Sequence, residues 1–257
     1  MISVISNNHE FRRIKFVIPQ RIISLVPSQT ELLFDLGVGA RVVGITKFCI
    51  HPENTRSQAV VIGGTKNFNL AKIEALKPDL IIGNKEENYR EGIEILATKF
   101  PVWVSDISNL AEALGMIREV GRLVGTAEKA DQLAITIQHE FDELLVSQPQ
   151  TAAYFIWRKP WMAAAAGTFI DDMLMRAGFQ NAFGNLTRYP EISRDALTNA
   201  APQRIFLSSE PYPFREKHFA EFQEICPNSQ VEIVDGELFS WYGSRLQKSA
   251  TYFNQLR

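Results

Sequence analysis

The residues best suited to chemistry gather in short stretches rich in rings and hydrogen-bonding groups. They are "TKFCIHPE" (46–53), "GTKNFN" (64–69), "GNKEENY" (83–89), "IWRKPWM" (156–162), "LTRYPEIS" (186–193), "SSEPYPF" (208–214) and "LFSWYGSR" (238–245). Three of the four tryptophans, Trp157, Trp161 and Trp241, fall in them, with Phe48, Phe68, Tyr189, Tyr212 and Tyr242. Such rings stack on the faces of a flat ligand, while lysine, arginine and asparagine hydrogen-bond to its edges. Taken singly, each ring packs a core or anchors a loop as readily. Their concentration is what carries the reading of a large, amphipathic ligand.

Catalytic signatures are missing. There is no P-loop, no G-x-S-x-G, no H-E-x-x-H and no C-x-x-C. "GVGARVVG" (37–44) lacks the dinucleotide-loop spacing and ends a helix instead of opening one. The histidines His9, His51, His139 and His218 are scattered, so no metal cluster is expected. Cys49 and Cys226 read as separate thiols.

Elements must hold these stretches in place, and 257 residues suffice for one large domain or two smaller ones. "RIISLV" (21–26) reads as a buried strand. A helix over "PSQTELLFDLG" follows, with Ser28 and Glu31 as a capping box and Gly37 as its stop. Strands "ARVVGIT", "DLIIG" and "PVWVS" then alternate with a helix capped by Asn69 and another near 88–99, after a loop-rich stretch at 48–68. Residues 109–146 show two helical stretches broken near Gly125 and no strand. Alternation resumes with "AAYFIW", "FIDDMLMRAG", "SRDALTNAAP", "RIFLS", a helix at 214–225, "VEIV", and a closing helix from Ser244. The fold class is α/β: an N-terminal lobe over 1–107, a linking helical segment over 108–148 and a C-terminal lobe over 149–257. One phrase is written twice. "EALKPDLIIGN" (74–84) and "DALTNAAPQRIFLSS" (195–209) each run helix end, proline, polar residue, apolar strand. Two similar Rossmann-like lobes with a ligand cleft between them account for the repetition, since open α/β sheets bind beyond the carboxyl ends of their strands.

Composition narrows the partners. Hydrophobic content of 46%, charged content of 22% and a net charge of −2 fit a soluble globular protein and argue against nucleic-acid partners. The first residues lack a basic start with an apolar run, and nothing approaches the roughly 20 apolar residues of a membrane span. A cytoplasmic monomer with no membrane insertion is the expectation, with a periplasmic protein as the alternative should an upstream signal precede Met1.

"RIISLVPSQTELLFDLG", "VVGIT", "NLAKIEALKPDLIIG", "ISRDAL" and "DGELFSWYGSRL", in this order, resemble the substrate-binding proteins of ABC importers for cobalamin and iron-siderophores. This is the helical-backbone class, in which a long rigid helix joins two α/β lobes, and the cobalamin-binding branch is the most similar. The resemblance implies a non-enzymatic receptor for a corrinoid or another metal chelate, such as a ferric siderophore or haem, with no intrinsic cofactor and an ABC permease as partner. It also implies pocket residues: Phe48, Lys66, Phe68, Asn84, Tyr189, Trp241 and Arg245, beside Trp157, Tyr212 and Tyr242 from the aromatic stretches. Asn84 stands where that branch has a tryptophan. Permease docking would fall to an acid on each lobe. Asp195 meets the second position, whereas the first is Ala71, with Glu74 one turn away. The alternative is a cytoplasmic enzyme acting on a tetrapyrrole-like or other large ligand, with His51, Glu86, Glu210 and Arg245 as its acid–base groups. An interaction module without ligand is a third reading.

Overall fold

Short runs of β-branched and aliphatic residues become buried parallel strands, and each is followed by a helix. The computed structural model describes residues 17–144 and 149–256. His9 and the end of the linking segment lie outside them. The chain divides into two units: one holds the described residues to Ile107 with Glu112–Ile135 and Tyr242–Ser244, the other Ser108–Ala111, Thr136–Trp241 and the residues from Arg245.

In unit 1, β1 (Ile22–Ser24) leads into α1 (Pro27–Asp35) and β2 (Val42–Ile45). The stretch expected as loop contains α2 (Thr55–Gln58), β3 (Val60–Val61), β4 (Gly63–Gly64) and β5 (Asn67–Phe68). Then come α3 (Leu70–Leu76), β6 (Leu80–Asn84), α4 (Arg90–Ala97) and β7 (Val102–Ser105). The sheet runs β3-β2-β1-β6-β7, all parallel, with β4 and β5 as a separate antiparallel pair. Ile22, Ile23, Ile81 and Ile82 are fully buried, as a parallel sheet covered on both faces requires. Ile23, Ile73, Ile81 and Leu96 share one core cluster, and each such side chain contributes about 1.5–3 kcal/mol on burial. The helical middle is α5 (Leu110–Val124) and α6 (Ala127–Asp142), broken at Gly125.

The expected capping box at Ser28 is not formed. α1 starts two residues earlier than a Ser28 cap would place it, with Val26 as N-cap and Pro27 in its first turn. Proline is pre-shaped for that position and has no N–H to be capped, so Ser28 falls inside the helix. Gly37 does close α1, in the left-handed region at φ 85°.

Unit 2 contains β8 (Gln150–Trp157), β9 (Met162–Ala163), α7 (Phe169–Arg176), β10 (Phe179–Asn181), α8 (Arg194–Ala200) and β11 (Arg204–Ser208). It ends with α9 (Phe219–Gln223), β12 (Gln230–Val234), α10 (Gly236–Ser240) and α11 (Leu246–Gln255). Its sheet runs β10-β8-β11-β12 in parallel, and β9 folds back antiparallel on β8. The helix expected at 214–225 is shorter. Arg215 donates its N–H to His218 Nδ1 (3.0 Å), which opens a 3-10 turn at Glu216–His218 ahead of α9. Phe155, Phe183, Phe214 and Phe222 build an aromatic core. Leu246, Ala250, Phe253 and Leu256 of the closing helix are buried together.

The repeated phrase is a repeated structure. Asn69 caps α3 by accepting from Lys72 N, and Ser193 caps α8 by accepting from Ala196 N. Lys77 (φ 45°) and Ala201 (φ 39°) end the two helices in the left-handed region, and Pro78 and Pro202 follow. β6 and β11 then enter with every residue buried. At the entry, Asp79 accepts from Gln20 N (2.7 Å) and Arg21 N (2.8 Å), while Gln203 exchanges two bonds of 3.0 Å with Thr151. Each pair of counterparts keeps the same offset along the chain.

Candidate functional site

The residues singled out from sequence sit where parallel strands end. In unit 1 the loop after β2, the β4–β5 turn and the loop after β6 are tied by side-chain amides. Asn88 is the hub: its Nδ2 donates to the carbonyls of Leu25 (3.2 Å) and Thr65 (3.1 Å), and its Oδ1 accepts from Asn84 N (2.8 Å). Lys47 N donates to Gly63 O (2.7 Å), joining the first two loops. Asn84, 1% exposed, spends its side chain on the loop: Nδ2 donates to Ser105 O and Oγ, and Oδ1 accepts from the N–H groups of Glu86 and Glu87. Lys66 Nζ reaches the Glu86 carbonyl. Phe68 is buried against Tyr89, with ring centres 4.6 Å apart. Phe48 is different: it is 49% exposed, with Lys47 Nζ 4.9 Å from its ring centre. Cys49 lies buried below it between the Thr30 and Thr46 hydroxyls, and burial pushes its thiol pKa up, away from thiolate reactivity.

In unit 2 the loops after β8, β11 and β12 meet. Trp157 is 40% exposed at the end of β8, donates its Nε1–H to Lys159 O (3.1 Å) and meets Tyr212 edge-on at 5.7 Å. Tyr212 rests on Phe214 (4.8 Å) and faces His218 (5.7 Å). Burial and the neighbouring Arg158 hold His218 below the usual histidine range. Arg158 grips Glu221 through two bonds of 2.9 and 3.1 Å. Tyr189 is half-buried, with the Arg188 guanidinium 5.7 Å from its ring centre. Trp161 stacks on Phe222 at 5.0 Å and serves the core.

Trp241 is buried, with its edge and one face both engaged. Its Nε1–H donates to Glu210 Oε1 (2.9 Å), and the Arg245 guanidinium lies 4.9 Å from its ring centre. Arg245, also buried, pairs with Glu237 at 2.8 Å. Tyr242 follows Trp241 in the chain, is likewise buried and belongs to unit 1. Burial raises the pKa of Glu210, while its bonds to Ser240 and Trp241 pull the other way. Glu74 is ion-paired with Lys99 (2.6 Å), and Asp195 is exposed in the first turn of α8.

Sequence reasoning missed one organiser, Asn88, and named Glu210 only as an acid–base group of the enzyme alternative. An asparagine four residues after Asn84 was a local signal for the first. The tie that Glu210 makes had none, because Ser240 and Trp241 come about thirty residues later. Among the described residues, no group of three or more His, Cys, Asp or Glu side chains could hold a metal ion, and no helix is long and apolar enough to cross a membrane.

The profile of the periplasmic binding protein family matches residues 22–224. A vitamin B12-binding protein of Pectobacterium carotovorum is 27% identical over 244 residues, covering 91% of this chain and 87% of the relative. An ABC transporter substrate-binding lipoprotein of Bacillus subtilis, YvrC, is 27% identical, covering 89% and 76%. Among solved structures, a periplasmic vitamin B12 binding protein of Vibrio cholerae superposes with a TM-score of 0.79 at 22% identity, covering 93% of this chain and 96% of that one. A periplasmic heme-binding protein of Roseiflexus superposes at 0.80 and 20%, covering 92% and 97%. These matches overturn the expectation of a cytoplasmic protein: the family is periplasmic, and one relative is a lipoprotein. That expectation drew on the first residues of the chain, which say nothing about where the folded units work.

Proposed function

Because the chain belongs to the periplasmic binding protein family, a family of substrate-binding proteins and not of enzymes, we propose that it captures a metal chelate for an ABC permease. The ligand class is a corrinoid of cobalamin type or another chelate such as a ferric siderophore or haem, and the protein carries no cofactor of its own. One observation carries this reading: each unit presents aromatic residues on loops at the carboxyl ends of its parallel strands. Phe48 and Trp157 are exposed there, with Tyr189 and Tyr212 half-buried beside Trp157 or its neighbouring loops. Stacking on a flat macrocycle adds about 0.5–1.5 kcal/mol per ring beyond buried area. Lys66, Phe68, Asn84 and Tyr242 in unit 1, and Trp241 and Arg245 in unit 2, are the other proposed ligand-binding residues, by direct contact or by holding the loops of their own unit. Glu74 and Asp195 are the proposed acids for permease docking.

The test is a tryptophan-fluorescence titration with cyanocobalamin, cobinamide, haem and ferric siderophores, corrected for inner-filter absorption. Trp157 is the exposed reporter. Saturable one-to-one quenching by one member of the panel is expected. A panel that quenches without saturation overturns the chelate reading.

A further inference from the structure

Trp241 does not hold itself in place. α10 ends at Ser240, and both Ser240 Oγ and Trp241 Nε1 donate to the same atom, Glu210 Oε1, at 2.9 Å each. Glu210 stands just beyond the carboxyl end of β11, the strand paired on both sides in the unit 2 sheet. One carboxylate oxygen therefore ties the end of α10 to the middle of that sheet. The indole is gripped at its N–H edge by Glu210 and on one face by Arg245, which Glu237 anchors.

We propose that Glu210 is the positioning residue of the proposed binding site, fixing the Trp241 indole through its carboxylate and so setting how tightly ligand is held. A hydrogen bond from an indole N–H to an ionised carboxylate is about twice as strong as one to a neutral acceptor. Two such bonds on one oxygen explain why an acid sits where a neutral side chain would be easier to bury. The groups facing Glu210 bear on its charge. Glu237 and Asp235 oppose ionisation, as burial does, and the Tyr154 hydroxyl also senses it. Arg245 offsets Glu237 by direct pairing. The arrangement makes the indole sensitive to protonation at Glu210: the neutral acid grips less well, so the wall loosens as pH falls.

This inference rests on the chelate-binding reading for its effect on affinity, and the experiment separates the two. Protein labelled with 15N at the indole nitrogens gives one Nε1–H resonance per tryptophan, and Trp241→Phe identifies the one in question. In the wild type that resonance is expected to shift with pH, with a midpoint above the ordinary glutamate range. Glu210→Gln keeps shape and acceptor but abolishes the titration, and Glu210→Ala speeds solvent exchange of that N–H at least tenfold. A Trp241 resonance that is independent of pH, or unchanged by both variants, overturns the proposal. A second arm measures affinity at neutral pH for whichever of cyanocobalamin or haem binds the wild type. Glu210→Ala should weaken it at least fivefold and Glu210→Gln by less than twofold, and equal losses in the two would refute positioning. If neither probe binds, the chelate reading falls, while the indole resonance still decides whether Glu210 positions Trp241.

Discussion

Units 1 and 2 share one plan and hold their strand-end loops by different chemistry. The plan is the cap, the left-handed stop, the proline and the buried strand that recur in α3–β6 and α8–β11. At the loops, unit 1 uses neutral groups: Asn84 and Asn88 bond to backbone carbonyls and N–H groups, while ion pairs such as Lys85–Asp106 stay exposed. Unit 2 uses charge: Glu210 on Trp241, Arg245 on Glu237 and Arg158 on Glu221, all at least partly buried. Neutral amides satisfy a loop without the desolvation cost of ions. Buried ions cost more and respond to pH. The comparison teaches that the strand-end loops of unit 1 are built to be constant and those of unit 2 to be adjustable.

The largest effect expected from this contrast is at Asn88. Asn88→Ala removes three hydrogen bonds and leaves buried partners unmatched, which costs about 2–4 kcal/mol. Urea denaturation measures it, and a loss under about 1 kcal/mol would break the claim that amides hold the unit 1 loops. Next comes Trp241→Ala, expected to weaken chelate binding at least tenfold, about 1.4 kcal/mol, with the fold intact. Unchanged affinity in that titration would move the ligand away from the Trp241 loop.

A smaller effect sharpens the charge side of the comparison. Burial raises the folded-state pKa of Glu210, so the fold favours its protonated form. Its contribution to stability is therefore greatest at low pH and declines as pH rises from the ordinary glutamate range through the raised one. Glu210→Gln removes that decline, so the melting temperature of the variant should exceed the wild type by a margin that grows as pH rises above the ordinary glutamate range. A constant margin would show that Glu210 titrates normally. The smallest effect is at the surface. Glu74→Gln breaks an exposed pair with Lys99 and should change stability by less than about 1 kcal/mol. Any loss of permease-coupled uptake in that variant then reports docking and not folding.

Legibility in the sequence followed the range of the interactions. The α3–β6 and α8–β11 phrases were readable because a cap, a stop and a strand are written within about fifteen residues. The start of α1 was misread because Ser28 and Glu31 match a capping box while Pro27 sets the start without one. The loop-rich stretch hid β3, β4 and β5, whose two-residue strands exist through pairing and not propensity. The placing of aromatic residues on strand-end loops was legible. Which rings stay exposed was not, since Phe48 and Phe68 look alike in sequence and differ only in what packs on them.

One feature of the chain path reaches beyond binding. Tyr242–Ser244 belong to unit 1, although the chain on either side of them belongs to unit 2. A Cβ at Gly243 would come within 2.6 Å of the Ser28 carbonyl, and the Ser244 hydroxyl bonds to Asp35. During synthesis these residues emerge after the rest of unit 1 and after Thr136–Trp241 of unit 2, so unit 1 is waiting for this piece while most of the described part of unit 2 is being made. A nascent chain halted before Tyr242 carries a first unit with α1 still uncovered at Ser28.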